Sequence, residues 1–98
     1  YPRVKSRVAK IKEHWNCLQV FGIYKPELQF KIQGGYAVGL CPFHKDHKPS
    51  LFIVLDKDFF KCHACGISGD VINLYARFEG IDNAEAIRRM SVVLEMSR

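Results

Sequence analysis

The sequence predicts an α+β fold: a small antiparallel β-sheet stapled by a metal site, with one helix before it and two after it. Three observations carry this expectation. Apolar residues recur at helical spacing near both ends of the chain. The middle alternates apolar and polar residues around turn signals. Three of the four cysteines fall with one histidine into two short metal-binding knuckles. At 98 residues the chain is read as a single domain, residues 1–98. A chain this short buries only about 60–65% of its unfolded surface, so a staple beyond the core is expected.

The elements follow in order. Val4, Val8, Ile11, Trp15 and Leu18 keep helical spacing, predicting a helix over about residues 3–22 with a break near Asn16. Gly22 and Pro26 close it. Leu28 to Gln33 alternates as a strand, Gly34-Gly35 suits a two-residue hairpin turn, and Tyr36 to Cys41 returns. That turn places Gln33 opposite Tyr36 and Lys31 opposite Val38. Residues 42–50 form a loop rich in Pro, His and Lys. Leu51 to Leu55 and Phe59 to Cys62 form a second hairpin around Asp56-Lys57-Asp58. Leu51 and Ile53 face inward. With an even turn, Phe52, Val54, Phe59 and Lys61 face outward, and cover by a terminal helix is expected for so much apolar surface. Ser68-Gly69-Asp70 opens a helix over about 69–79, with Ser68 or Asp70 as its cap and Gly80 as its end. Asp82 and Glu85 resemble a capping box for a last helix over about 83–95.

Composition excludes several classes. The chain is 48% apolar and 26% charged, which fits a folded domain and not a disordered tail. The longest unbroken apolar run is Leu51 to Leu55, far short of the roughly 20 residues of a membrane helix. No apolar run near the N-terminus resembles a signal peptide, so a cytoplasmic protein is expected. The first residue is Tyr1 and not Met, which points to a trimmed chain. The net charge is +5, and residues 1–40 hold seven basic and two acidic side chains. A basic excess of this kind favours a polyanion partner without naming one, and it also serves solubility.

The cysteines are Cys17, Cys41, Cys62 and Cys65. Cys41-Pro-Phe-His44 and Cys62-His-Ala-Cys65 are separated by 17 residues. Two ligands three positions apart on a tight turn can both reach one ion about 2.0–2.3 Å away. Two such knuckles make a closed Cys3His tetrahedron around one Zn2+. With four protein ligands no position remains for water, so the zinc is structural and not catalytic. A redox pair would explain the Cys-x-x-Cys alone but not the matching knuckle. A zinc deaminase needs His-x-Glu and Pro-Cys-x-x-Cys, and neither is present. Cys17 reads as a plain buried thiol. His63, inside the second knuckle, is expected at the surface. Asp56 and Asp58 look superficially like a Mg2+-binding pair, but aspartates in a tight turn commonly make local hydrogen bonds. No intrinsic catalytic site is expected.

Cys41-Pro-Phe-His44-x-Asp46-x-x-Pro49-Ser50, followed by Phe-Lys-Cys62-x-x-Cys65-Gly66-x-x-Gly69-Asp70, resembles the CHC2-type zinc-binding domain of bacterial DNA primase. The likeness runs from about residue 36 to 78, and Gly39-Leu40 extends it. Two departures stand out: His63 where the family often has an aromatic residue, and Phe52 and Val54 where outward positions are often small and polar. The resemblance implies a zinc ribbon of about five strands with the metal at one end. It implies Cys41, His44, Cys62 and Cys65 as ligands. It implies a module that contacts single-stranded DNA template and helps select where a primer starts, with the polymerase in a separate domain. A replicative helicase is a further partner in such a system, and the source is expected to be a bacterium, a phage or another mobile element. On this reading Lys31, Lys45, Lys48, Lys57 and Lys61 would pair with phosphates, and Tyr36, Phe52 and Phe59 would stack bases. Gln29, Gln33, His47 and His63 are the candidates for reading base edges. The alternative is a zinc ribbon that docks a protein through Phe52, Val54 and Phe59.

Overall fold

The computed structural model describes residues 6–45 and 47–96. Arg3, Val4 and Lys5 of the expected first helix, and Asp46 of the zinc loop, lie outside the described residues.

The expected N-terminal helix is two helices: α1 (Arg7–His14) and α2 (Cys17–Tyr24). Ser6 caps α1 by accepting the Ala9 N–H at 3.1 Å. The chain then leaves helical geometry at Trp15 and Asn16, because Asn16 starts a new helix with a reciprocal capping box. Its Oδ1 accepts the Gln19 N–H at 2.7 Å, and the Gln19 side chain accepts the Asn16 N–H at 3.4 Å. The local signal Asn-x-x-Gln therefore overrides a continuous apolar period.

Five antiparallel strands follow in simple meander order: β1 (Lys31–Gln33), β2 (Tyr36–Gly39), β3 (Leu51–Val54), β4 (Phe59–Cys62) and β5 (Ser68–Gly69). The first hairpin has the expected register, with Gln33 opposite Tyr36 and Lys31 opposite Val38. Its first strand is shorter than expected, since Leu28 to Phe30 lie outside the sheet. There Phe30 packs on Phe21, with ring centroids 5.6 Å apart. The β3–β4 turn contains four residues, so Phe52 faces Lys61 and Val54 faces Phe59 on one side of the sheet. Ser68-Gly69 is a strand and not the opening of a helix.

Helix α3 (Val71–Glu79) starts after Asp70, whose side chain accepts the Asn73 N–H at 2.9 Å while Asn73 accepts the Asp70 N–H. This box explains Gly69. A Cβ there would lie 2.7 Å from the Asn73 Cβ, which the capping geometry holds in place. Helix α4 spans Asn83–Met96. Asp82 accepts the Glu85 N–H at 2.8 Å. The Glu85 carboxylate turns instead to Arg88 and Arg89, whose guanidinium groups hold it down to about 2.

All four helices pack on one side of the sheet. Ile11, Cys17, Val20 and Phe21 meet Ala37, Leu51, Ile53 and Phe60 in a core that continues through Leu74, Ala86 and Met90. Phe21 is its hub, with ring contacts to Phe30, Phe43, Phe60 and Phe78. The expected cover for Phe52, Val54 and Phe59 is absent among the described residues. Those side chains point away from the helix layer, and Tyr36 and Phe59 remain 46% and 39% exposed.

One contact binds the two layers at the far end of the sheet. Asp58 was expected to bond within its own turn. Instead its Oδ1 accepts the Cys17 N–H at 2.8 Å, 41 residues away, and so caps the start of α2. Cys17 is a fully buried thiol whose pKa is pushed up by burial and by the neighbouring Asp58. Asp58 also adopts a left-handed conformation (φ 54°), which Asn tolerates and Ala resists. Asp58→Ala should therefore lower stability by about 0.5–2 kcal/mol. Asp58→Asn should lose markedly less in the same chemical-denaturation experiment. Equal losses would contradict the cap.

Candidate metal centre and the sheet face

The metal-binding knuckles sit where the sheet ends. Gly39, Leu51 and Cys62 form the last paired row of β2, β3 and β4. Cys41 lies just past the end of β2, and Cys62 closes β4. The Cys62 carbonyl accepts the Gly66 N–H at 2.9 Å, and Gly66 takes a left-handed φ of 81°, so the second knuckle turns tightly enough to bring Cys65 back.

One ligand atom from each of Cys41, His44, Cys62 and Cys65 lies within 4.8 Å of the other three. The Cys41 and Cys65 sulfurs are 3.9 Å apart, and His44 Nε2 is 3.3 Å from the Cys62 sulfur. A tetrahedral ion with Zn–S bonds of about 2.3 Å places sulfurs about 3.8 Å apart. Three thiols and an imidazole suit zinc, so the group fits one structural Zn2+. His44 Nδ1 lies 3.2 Å from the Lys45 carbonyl, which holds the ring with Nε2 toward the sulfurs. Phe43, between Cys41 and His44, ties this knuckle to the helix layer. Its ring packs on Phe78 at 5.1 Å and on Phe21 at 6.3 Å, with the Arg77 guanidinium 5.3 Å from its centre.

The site's electrostatics favour an early thiolate at Cys62. Burial works against charge there, but hydrogen bonds from Ser50, the Cys65 N–H, His44 and the Ala64 N–H outweigh it and bring the thiol down to about 6. Burial pushes Cys41 the other way, up to about 12, with the Phe43 N–H opposing and the nearby Cys62 adding to the shift. Zinc takes thiolates, so at neutral pH binding expels the Cys41 proton. In an unfolded metal-free chain the ligand thiols are likewise protonated near neutral pH, so with either starting state zinc affinity should rise at least about tenfold per pH unit between about pH 6 and 8. Competition against a chromophoric chelator measures this, and a flat profile would contradict the assignment of Cys41.

The sheet face away from the helices gathers most of the residues predicted to meet DNA. One cross-strand row runs Lys31, Val38, Phe52, Lys61, Ser68. The next runs Gln33, Tyr36, Val54, Phe59. Tyr36 meets Phe52 edge-on at 6.1 Å, and the exposed His63 meets Phe52 edge-on at 4.8 Å. Aromatic rings thus run from Tyr36, beside the first hairpin's turn, through Phe52 to His63 in the second knuckle, and the row that contains Phe52 has Lys31 and Lys61 on either side. Lys45 and Lys48 are exposed in the zinc loop, beyond this face at the metal end. Lys57 sits in the β3–β4 turn at the opposite end of the sheet, apart from both. Gln29 and His47 are exposed outside the strands. Asp58 is the residue with a structural role that sequence reasoning missed. Its turn position gave no sign of a partner 41 residues away.

No helix among the described residues is long and apolar enough to cross a membrane. Comparison with known proteins gives a consistent result. The CHC2 zinc finger family matches residues 4–97. The DNA primase of Enterococcus faecalis is 32% identical over 90 residues, covering 92% of this chain and 14% of that protein. The DNA primase of Halalkalibacterium halodurans is 34% identical over 94 residues, covering 92% and 15%. The crystal structure of the Aquifex aeolicus primase, containing zinc-binding and RNA polymerase domains, superposes with a TM-score of 0.74 at 28% identity. It covers 90% of this chain and 21% of that one. The chain therefore spans about one seventh of these curated relatives. With its two knuckles, five-stranded sheet and flanking helices, the chain belongs to the CHC2 zinc finger family and is similar to the zinc-binding part of DNA primases.

Proposed function

We propose that residues 1–98 act as one template-binding module of a primase or primase-like replication protein, and that Cys41, His44, Cys62 and Cys65 hold its zinc. The module binds single-stranded DNA across the uncovered sheet face and helps select where a primer starts. Primer synthesis itself belongs to a polymerase domain, and a replicative helicase completes the system in a bacterial, phage or mobile-element cytoplasm.

The observation that carries this reading is the pair of cross-strand rows. Phe52, Tyr36 and Phe59 offer ring surface to unstacked bases, and Lys31 and Lys61 sit where a backbone would pass. Lys45 and Lys48 extend the positive charge at the zinc end. Lys57 is too far toward the other tip to share a short segment with them, and would meet only a longer strand. Stacking accepts any base, so start-site preference needs edge contacts, for which Gln33 and His63 are placed on or beside this face. A second reading uses the same patch: Val38 and Val54 separate the rings, so the face also suits an apolar protein partner.

Binding of a fluorescein-labelled single-stranded oligonucleotide, followed by anisotropy, tests the proposal. Phe52→Ala should weaken binding roughly 5- to 150-fold, the range for loss of one stacked base. Lys61→Ala should weaken it less and flatten its salt dependence. Wild-type affinity in both variants would overturn the reading.

A further inference from the structure

Helix α1 carries charge that the sheet-face reading does not use. Residues 1–14 contain five of the fifteen basic side chains and one of the ten acidic ones. On α1, Arg7, Lys10 and His14 stand at i, i+3 and i+7, so they share one flank of the helix. All three are exposed. No ion pair engages Arg7 or Lys10 among the described residues, whereas Lys12, on the other flank, is held by Asp70 at 3.2 Å. The inward side of α1 is committed to the core through Ile11, with Val8 packed beside it. That side faces the helix layer, so the stripe lies on the opposite layer from Phe52 and Lys61.

We propose that Arg7, Lys10 and His14 form a second nucleic-acid contact, which engages the phosphate backbone of a strand that runs past the sheet face and around to the helix layer. This rests on the single-strand reading above. The stripe suits phosphates better than other polyanion carriers. It contains no aromatic or aliphatic anchor of the kind that centres a protein interface. A membrane surface would need the apolar side of α1, which is buried. Phosphate contacts need only positioned charge. Because the two surfaces lie on different layers, a short oligonucleotide seated on the sheet face is expected to leave the stripe free.

Length dependence therefore tests the inference. Arg7→Ala/Lys10→Ala, in exposed helical positions where Ala is a good helix former, should keep the wild-type circular dichroism spectrum. Its affinity for an oligonucleotide of about 8 nucleotides should match wild type. For one of about 30 nucleotides, the slope of log affinity against log salt should fall by about 1.4, from two lost contacts at about 0.7 each. Equal losses on both lengths, or an unchanged slope on the long strand, would overturn this inference while leaving the sheet-face reading intact. Absence of binding by the wild-type domain at either length would overturn both.

Discussion

Stripping the zinc is expected to unfold the domain. Structural zinc in small modules contributes roughly 10–16 kcal/mol of apparent folding free energy at neutral pH, against a total stability of about 5–15 kcal/mol for a whole domain. Here the metal end has few other restraints. Residues 42–45 and 47–50 contain no helix or strand, and β5 is only two residues long. Without the ion, the Cys62 thiolate would be left buried among hydrogen-bond donors and beside two other sulfurs. Cys62→Ala should act as chelation does, because it removes the ligand that both Ser50 and the Cys65 N–H are arranged to meet. Trp15, the chain's single tryptophan, packs edge-on against Tyr75 at 5.6 Å and reports the helix layer. Chelator should red-shift its fluorescence together with loss of helical circular dichroism. A chelated domain that still unfolds cooperatively at the wild-type midpoint would contradict this account.

Phe21→Ala is expected to produce the largest loss among core substitutions. The side chain is fully buried and touches four other rings, among them Phe60 of the sheet at 6.0 Å and Phe78 of α3 at 5.7 Å. Truncating a buried Phe costs about 3–5 kcal/mol, a large share of the stability available to a domain with so thin a core. The loss should also reach the metal. Phe43 leans on Phe21 from within the first knuckle, so zinc affinity should weaken in the variant even under conditions where it stays folded. Phe59→Ala serves as the control. It lies exposed on the other side of the sheet and should change stability by about 0.5 kcal/mol or less. Chemical denaturation of the zinc-loaded proteins measures the two stability changes and chelator competition the zinc affinity, and equal losses for Phe21 and Phe59 would contradict the two-sided description of the sheet.

The parts legible from sequence are those set by local rules. The ligands of a zinc knuckle sit a few residues apart, here three positions in both pairs, so the knuckles are visible in the sequence. Strand faces follow a period of two, so the Gly34-Gly35 turn and the even β3–β4 turn together placed Lys31, Tyr36, Phe52 and Lys61 on one face. The illegible parts depend on contacts made across the chain. Helical spacing continued from Val8 through Leu18, and the expected break near Asn16 is real, but the reciprocal capping box with Gln19 that makes two separate helices was not read from the sequence. A two-residue strand such as β5 has too few side chains to show a period, and it exists because β4 offers it an edge. Asp58 looked like a turn residue and is one, but its carboxylate serves α2. The expected helical cover for the outer sheet face failed for a related reason. Ile11, Val20 and Phe21 found their partners in Leu51, Ile53 and Phe60, which left no helix among the described residues for the far side.

That open face is the centre of the account, and the salt dependence of single-strand binding tests it most directly. Zinc-loaded domain should be titrated with labelled single- and double-stranded oligonucleotides at about 50 and 200 mM salt, with a metal-stripped control. The account predicts zinc-dependent binding that prefers the single strand and weakens steeply with salt, since stacking needs unpaired bases and each phosphate contact releases counterions. Absence of binding at the lower salt would contradict it. So would a salt-insensitive, strand-indifferent interaction, which would instead mark the rings of Tyr36, Phe52 and Phe59 as an apolar docking patch for a protein.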